Sequence, residues 1–457
     1  MTDTVYDMVI LGAGSGGYAA ALRGAQLGLR VALIEADKIG GTCLHRGCVP
    51  TKAILHSAET AEAVREAAAV GVRAAYQGLD MPAVQRYKNG VISRMYKGLQ
   101  GLVASRGIEV VGGWGRLVAR DTVEVSGRRY RGRNIVLATG SLSKTMGQEI
   151  SGPVMTSDQA LELDRVPASA VVLGGGVIGV ELASAWASMG SQVTIIEALP
   201  HLVPNEDEAI SKQLERAFRK RRIAFRTSTM FESVERTAAG VTVRTADGRT
   251  HDAEVLLIAV GRGPATANLG YEEVGVAMDR GFVLTDDYGR TNVEGVWAVG
   301  DIVPGVQLAH RGFAQGITVA EKIAGLDPRP VDDALVPKVT FCEPEIASVG
   351  LSEARAAEVH GAENVTTSEF NVAGNAKSQI LGTQGFVKLV SLKDGPIVGF
   401  HAIGTRMGEQ IGEGQLIVSW EADARDVAPL VHAHPTQNET IGEAAMALAG
   451  KPLHNHG

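Results

Sequence analysis

Met8-Val9-Ile10-Leu11-Gly12-Ala13-Gly14-Ser15-Gly16-Gly17 is the stretch on which the reading of the fold turns. Four apolar residues give a short strand signal, and a glycine loop follows at once. A helix-like stretch then runs to Gly28, and Val31-Ala32-Leu33-Ile34 ends in Glu35. The pattern returns as Ala170-Val171-Val172-Leu173-Gly174-Gly175-Gly176-Val177-Ile178-Gly179, a stretch to Gly190, and Val193-Thr194-Ile195-Ile196-Glu197. In both copies the third motif glycine lies 11 residues before the helix-ending glycine and 18 before the glutamate. One glycine loop is weak evidence. Strand, GxGxxG, helix, strand and acid in register, twice over, points to two parallel α/β dinucleotide-binding domains.

Each residue type has a physical task. Gly12 and Gly174 make the turn tight. Gly14 and Gly176 let the backbone approach a pyrophosphate, and Gly17 and Gly179 let helix and strand pack closely. The helix N-terminus offers free N–H groups and a partial positive charge to phosphates. Glu35 and Glu197 are placed to hydrogen-bond ribose hydroxyls. A carboxylate at Glu197 would repel a 2′-phosphate, and no arginine follows it before Arg216, so the second site prefers NAD to NADP. Each half closes on a similar strand, Asn134-Ile135-Val136-Leu137-Ala138-Thr139-Gly140 and Val255-Leu256-Leu257-Ile258-Ala259-Val260-Gly261. A third strand, Val296-Trp297-Ala298-Val299, leads into Gly300-Asp301, an acid at a strand C-terminus, where open α/β sheets bind ligands.

The last 120 or so residues read differently. Gly385–Leu392 and Ile397–Ile403 flank Lys393-Asp394-Gly395-Pro396, an antiparallel hairpin signal. A helical stretch from about Gly408 to Ala424 follows, so this segment is expected to be α+β.

The composition sets limits. The chain has 457 residues, a prior of roughly three domains. Its charge, 44 − 51 = −7, argues against nucleic acid or an anionic membrane as a partner. Three cysteines exclude a disulfide-built secreted scaffold, and Cys43 and Cys48 lack the second pair a structural zinc would want, so no metal is expected. Met1–Asp7 carries acids and no Lys or Arg, which reads as neither signal nor transit peptide. No apolar run approaches the roughly 18 residues needed to span a bilayer. A soluble cytoplasmic protein is the expectation.

Cys43-Leu44-His45-Arg46-Gly47-Cys48 follows eight residues after Glu35. The spacing is compatible with the roughly 4.4–6.8 Å between Cα atoms that a disulfide allows. Gly40, Gly41 and Gly47 close the loop, and Pro50 suits a first helical position. Cys48 would then lie at a helix N-terminus, which stabilises a thiolate. A nicotinamide hands over a hydride, a disulfide takes two electrons, and a flavin mediates between them. By that chemistry, and not by spacing, the first loop is expected to hold FAD and the second NAD. The chain then divides into an FAD-binding part at 1–147, an NAD-binding domain at 148–267, a return to the FAD-binding or central domain at 268–334 and a C-terminal domain at 335–457.

Thiol–disulfide exchange also needs a proton acceptor near neutral pH, and histidine fits. Val431-His432-Ala433-His434-Pro435-Thr436-Gln437-Asn438-Glu439 supplies two, with Glu439 as a carboxylate to orient a ring. Chemistry alone does not choose between His432 and His434. Cys342 reads as a plain core or interface thiol.

With these motifs in hand, the chain resembles the pyridine nucleotide–disulfide oxidoreductase family (the class I flavoprotein disulfide reductases) over essentially its whole length. The resemblance rests on Gly12–Gly17 with Glu35, on Gly40–Lys52, on Ala138-Thr139-Gly140, on Gly174–Gly179 with Glu197, on Ala298–Asp301 and on His434-Pro435-Thr436 with Glu439. It implies two Rossmann-like domains and a C-terminal dimerisation domain. It further implies that Cys43 is the interchange thiol and Cys48 the charge-transfer thiol of a redox disulfide. Lys52 matches the lysine near the flavin, and Glu181 the acid that pairs with it. Asp301 matches the residue holding the ribityl chain, and Ala309-His310 the pair lying against FAD. Thr139, Gly140 and Gly261 belong with the dinucleotide sites. His434 matches the catalytic base, with Glu439 its partner, and comes from the other subunit of a homodimer. The activity implied is reoxidation of a protein-bound dihydrolipoyl group by NAD+ through the disulfide and FAD. The partner would be the lipoyl domain of a dihydrolipoamide acyltransferase or a similar lipoylated protein of a 2-oxo acid dehydrogenase complex. Glutathione reduction is disfavoured by Glu197, and mercury reduction by the tail Leu453–Gly457, which has no cysteine pair. His45-Arg46 departs from the usual family residues and is expected to alter the charge beside the cysteines.

Overall fold

The computed structural model describes residues 5–454. Met1–Thr4, the start of the N-terminal reading, and Asn455–Gly457, the end of the cysteine-free tail, lie outside the described residues. The fold divides into two compact units. One comprises Met1–Ile54, Pro82–Lys144 and Gly261–Asp333, the other Leu55–Met81, Thr145–Val260 and Ala334–Gly457.

In the first unit the strand Val5–Leu11 pairs in parallel with Val31–Glu35 and with Arg128–Leu137. Glu109–Gly112 extends the sheet beyond Val31–Glu35, and Val296–Ala298 pairs with the end of Arg128–Leu137. Both faces are covered over Met8–Leu11, so that part of the strand is continuously apolar rather than alternating. Met8 and Ile10 join the core that contains Ala20, Ala21 and Leu33. Val9 and Leu11 join the opposite one, with Ile34 and Ile135. The helix Ser15–Gln26 follows the glycine loop, and the helix Ala309–Ile323 packs on it through glycines. A Cβ at Gly316 would lie 2.2 Å from the Gly16 carbonyl oxygen, so the two backbones touch there. Arg23 and Glu321 pair at 2.5 Å farther along.

The second unit repeats the first arrangement. Ser169–Leu173 lies between the parallel strands Gln192–Ile196 and Val255–Ile258, with Ala224–Arg226 and Val154–Met155 outside them. Its loop helix, Val177–Met189, ends as the first one does. Ser191 N–H reaches the Trp186 carbonyl around Gly190, as Leu29 N–H reaches Gly24 around Gly28. Both glycines sit at positive φ, 108° and 82°, the left-handed geometry this helix end requires.

The C-terminal part of that unit is a five-stranded antiparallel sheet, Lys338–Thr340, Glu345–Gly350, Ile397–Gly404, Phe386–Leu392 and Val365–Asn371 in spatial order. The hairpin around 393–396 forms as expected. The helix Glu439–Leu448 covers the sheet with Ile441, Ala444 and Ala445. Lys388 on this sheet donates to Asp207 at 2.8 Å and Glu353 at 2.6 Å. Asp207 in turn caps the helix Glu208–Lys220, so a buried ion pair ties that helix to the sheet.

Three local expectations need correction. The helix expected to reach Ala424 is Ile411–Ser419. It stops because Glu421 turns left-handed, at φ 54°, and the Ala422 carbonyl accepts from Ile397 N–H. The segment bearing Cys43 is a six-residue helix, Gly41–Arg46, rather than a loop. The next helix begins at Cys48, which makes Pro50 its third residue instead of its first. The proline is tolerated there because the first turn has no intrahelical partner for its N–H. Among the described residues, no helix is long and apolar enough to cross a membrane.

Candidate active site

The two glycine loops are superimposable in their contacts. A Cβ at Gly17 would fall 1.8 Å from the Gly12 carbonyl oxygen, and one at Gly179 would fall 1.9 Å from that of Gly174. Gly12 and Gly174 sit at φ 100° and 99° against the backbones of Ala138 and Ala259 on their closing strands. At Gly14 and Gly176 a Cβ would meet nothing within 4 Å. Both residues precede helices that have no side-chain cap and no acid in the first turn. Open space facing free helix N–H groups is what a pyrophosphate needs, so both loops fit a dinucleotide. Glu35 accepts from Ala13 N–H at 2.7 Å and Glu197 from Gly175 N–H at 2.6 Å. Their other oxygens accept from Asp37 and Leu199 N–H. A carboxylate has about four lone-pair sites, which leaves capacity for ribose hydroxyls.

The cysteine helix abuts the first loop. Gly40 N–H donates to the Ala13 carbonyl at 2.8 Å, and a Cβ at Gly41 would fall 2.7 Å from Gly14 Cα. Both cysteines are in the thiol form, Cys43 half-buried and Cys48 exposed. A hydrogen bond with Cys48, then burial, pushes the Cys43 thiol up, while the Lys52 ammonium works the other way. His45 and Arg46 each meet a local partner. His45 Nε2 meets the Ile39 carbonyl at 2.9 Å with its ring edge-on to Tyr96, and Arg46 pairs with Asp37 at 2.5 Å.

The other sequence-derived residues of the first unit gather from distant segments. Asp301 accepts from Ser141 Oγ at 2.6 Å, and Ser141 Oγ also accepts from Arg262 Nε at 2.7 Å. The Thr139 hydroxyl donates to the Ala265 carbonyl at 2.7 Å, and Ala265 N–H returns to the Gly140 carbonyl. The Gly261 carbonyl accepts from Lys144 N–H. Ala309 and His310 open the helix that packs on the first loop helix. Sequence reasoning missed Arg262 and Tyr18. Burial and the two nearby thiols push the Tyr18 hydroxyl up to about 12, so it stays a neutral phenol. Its position directly after Gly17 was the available signal.

In the second unit Glu181 is buried, and its Oε1 accepts from Phe341 N–H at 2.8 Å. His434 Nδ1 meets Glu439 Oε1 at 2.8 Å, while Glu439 Oε2 accepts from Thr436 N–H at 2.8 Å. Burial works against the Glu439 charge, but Thr436 and His434 outweigh it and hold the carboxyl below its usual range. The His434 side chain is 72% exposed. His432 is the opposite case, 12% exposed with Nε2 on Glu413 Oε1 at 2.7 Å. The Glu413 hydrogen bond raises its pKa despite burial. Cys342 is a core thiol, 2% exposed, meeting the Pro344 carbonyl at 3.2 Å. Among the described residues, no group of three or more His, Cys, Asp or Glu could hold a metal ion.

Comparison with known proteins agrees with this geometry. The family described as pyridine nucleotide-disulphide oxidoreductase matches residues 6–316, and the family's dimerisation domain matches residues 336–445. A Bacillus subtilis (strain 168) protein named dihydrolipoyl dehydrogenase is 37% identical over 473 residues, covering 99% of each chain. The crystal structure of LpdA from Mycobacterium tuberculosis superposes with a TM-score of 0.90 at 27% identity, covering 96% of this chain and 99% of that one. The HOCl-induced flavoprotein disulfide reductase RclA from Escherichia coli gives 0.86 at 27% identity, with 96% and 99% covered.

Proposed function

The chain belongs to the pyridine nucleotide-disulphide oxidoreductase family, and from that membership we propose that it is a dihydrolipoyl dehydrogenase, reoxidising protein-bound dihydrolipoamide to lipoamide at the expense of NAD+. The observation that carries this reading is the contact of the cysteine helix with the first glycine loop, Gly41 against Gly14. It sets a pair of neighbouring thiols beside a dinucleotide cradle.

Gly12, Gly14, Gly17, Glu35, Lys52, Thr139, Gly140, Asp301, Ala309 and His310 would hold FAD. Gly174, Gly176, Gly179, Glu197 and Gly261 would hold NAD, and Glu181 would serve the flavin as the acid matched to the partner of its lysine. When bound, the flavin supplies a two-electron relay between thiol and nicotinamide chemistry. The protein's own residues carry the rest. In the oxidised enzyme Cys43 and Cys48 form a disulfide. His434 takes the proton of one substrate thiol, and the resulting sulfur attacks Cys43 Sγ. The Cys43–Cys48 bond breaks, and Cys48 leaves as a thiolate at its helix N-terminus. The second substrate sulfur then attacks the first, closing the lipoyl ring and releasing Cys43. Two electrons have passed from the dithiol to the cysteine pair, and the two protons lost by the substrate go to His434 and to the thiols.

The enzyme is a homodimer of the family type, with the histidine supplied across the interface. The dimerisation domain supports this, as do Leu430, 56% exposed, and Val431, 98% exposed, which immediately precede His432. The lipoylated partner is an acyltransferase or similar protein. The four-part division at 147, 267 and 334 and a cytoplasmic location complete the reading. A thiol centre of this kind suits a reducing compartment.

Anaerobic titration with dihydrolipoamide, followed by NAD+, tests the proposal. The wild-type protein should take up two electrons per subunit beyond the flavin, develop a long-wavelength thiolate–flavin band and discharge to NAD+. Cys48→Ser should do none of these. A Cys48→Ser protein that still reduces NAD+ with dihydrolipoamide would overturn the reading, as would faster turnover with NADPH and oxidised glutathione.

A further inference from the structure

His432 and His434 stand two residues apart and each meets a carboxylate, yet they are built for different tasks. His434 Nδ1 is on Glu439, and its other ring nitrogen makes no hydrogen bond among the described residues. His432 has Glu413 on Nε2 at 2.7 Å. Its Nδ1 side also faces Gly442 so closely that a Cβ there would fall 2.7 Å away. Buried and held on a carboxylate, this ring is placed to fix the turn rather than to meet a substrate.

Glu413 does more than pair with His432. Its second oxygen, Oε2, accepts from Asn438 Nδ2 at 2.7 Å. Asn438 immediately precedes the helix whose first residue is Glu439. One carboxylate on the helix Ile411–Ser419 thus grips both flanks of the turn that carries His434 and its partner.

We propose that Glu413 is a positioning residue for the thiol-proton acceptor: its carboxylate clamps His432 and Asn438, and so fixes the His434–Glu439 pair toward the dithiol. The inference rests on His434 being the base. The charged groups facing His432 are Glu413 and Glu439. Burial opposes the Glu413 charge, but His432 and Asn438 overcome it and hold the carboxyl low. The ionic half of the clamp is therefore present while His432 is protonated and is lost as pH rises through its raised pKa.

The test compares E413Q, N438A, H432Q and H434Q as flavin-loaded dimers, reading kcat with dihydrolipoamide from pH 6 to 10 and KM for NAD+. In E413Q, kcat is expected to fall about tenfold, since small misplacements of a base are costly, with KM for NAD+ unchanged. Its alkaline limb should move to lower pH, because His432 has lost the carboxylate that held its proton. N438A should lower kcat without moving that limb, since no charge is removed. If E413Q is recovered without flavin, H432Q gives the same reading, with lower kcat and the limb abolished. Wild-type kcat and pH profile in E413Q, or in H432Q where it stands in, overturns the clamp. If H434Q is inactive at the same time, the assignment of the base survives. Full dithiol turnover in H434Q overturns that assignment instead.

Discussion

Glu197 Oε2 accepts a 2.6 Å hydrogen bond from the N–H of Gly175, the residue between the first two motif glycines of its own loop. Glu35 and Ala13 repeat the bond at 2.7 Å. The acid at the end of one strand therefore braces the glycine loop at the end of its neighbour.

The glycines of the second loop are separable by substitution. Gly176→Ala puts a methyl into open space, whereas Gly179→Ala drives one onto the Gly174 carbonyl oxygen. Gly176→Ala is expected to change stability by less than about 1 kcal/mol while raising KM for NAD+ about tenfold, because the methyl takes the place of the pyrophosphate. Gly179→Ala should cost more than about 2 kcal/mol. Thermal melts and steady-state kinetics check both.

Lys52 favours the ionised form of the Cys43 thiol, against Cys48 and burial. Lys52→Met should move alkylation of Cys43 in the reduced enzyme to higher pH, by about one unit. The pH dependence of iodoacetamide labelling, followed by peptide mass spectrometry, measures the shift.

Lys388 is the cation for Asp207 at 2.8 Å, with both side chains buried. Burial disfavours the Asp207 charge, but Lys388 and the Glu353 N–H outweigh it and hold the carboxyl low. Lys388→Met leaves that carboxylate without its counter-ion and should cost about 3 kcal/mol at pH 7. In the wild type the contribution of Asp207 is present above the usual Asp value and is lost as pH falls through its depressed one. Urea unfolding at pH 7 and pH 3 should show the deficit of the variant shrinking at the lower pH.

Glu343 carries the opposite sign. Burial pushes its carboxyl up to about 7, with Arg221 opposing. The unfolded chain ionises from about 4.3, the folded one only near 7, so stability is lost as pH rises through that window. Glu343→Gln removes the penalty and should stabilise the protein at pH 8, by at most on the order of 3 kcal/mol, with little effect at pH 4. A series of melts across that range decides it.

Much of the site was legible in the sequence because its constraints are local. Gly12 and Gly17, Gly174 and Gly179, and each acid with its loop act within one strand–helix–strand unit, so the spacing records the contact. The Cys43–Cys48 spacing is legible for the same reason. The contacts that spacing does not record join distant segments. Arg262 reaches Ser141 across 121 residues, Ser141 reaches Asp301 across 160, and Phe341 reaches Glu181 across 160. Strand order creates these neighbours, and no periodicity announces them. The C-terminal helix was overextended because Ile411–Ser419 stays helix-compatible until Glu421 turns left-handed and Ala422 pairs with Ile397, a tertiary contact.

By itself, then, the sequence determined the two strand–glycine loop–helix units and the thiol pair beside the first, since each follows from backbone geometry over short spans. Chemistry alone left His432 and His434 equal, and the family resemblance favoured His434. The tertiary structure gives them different surroundings, burying one imidazole on Glu413 and leaving the other exposed on Glu439. The physical reason is that a histidine's role depends on what its ring nitrogens meet, and a folded neighbourhood rather than a motif supplies that.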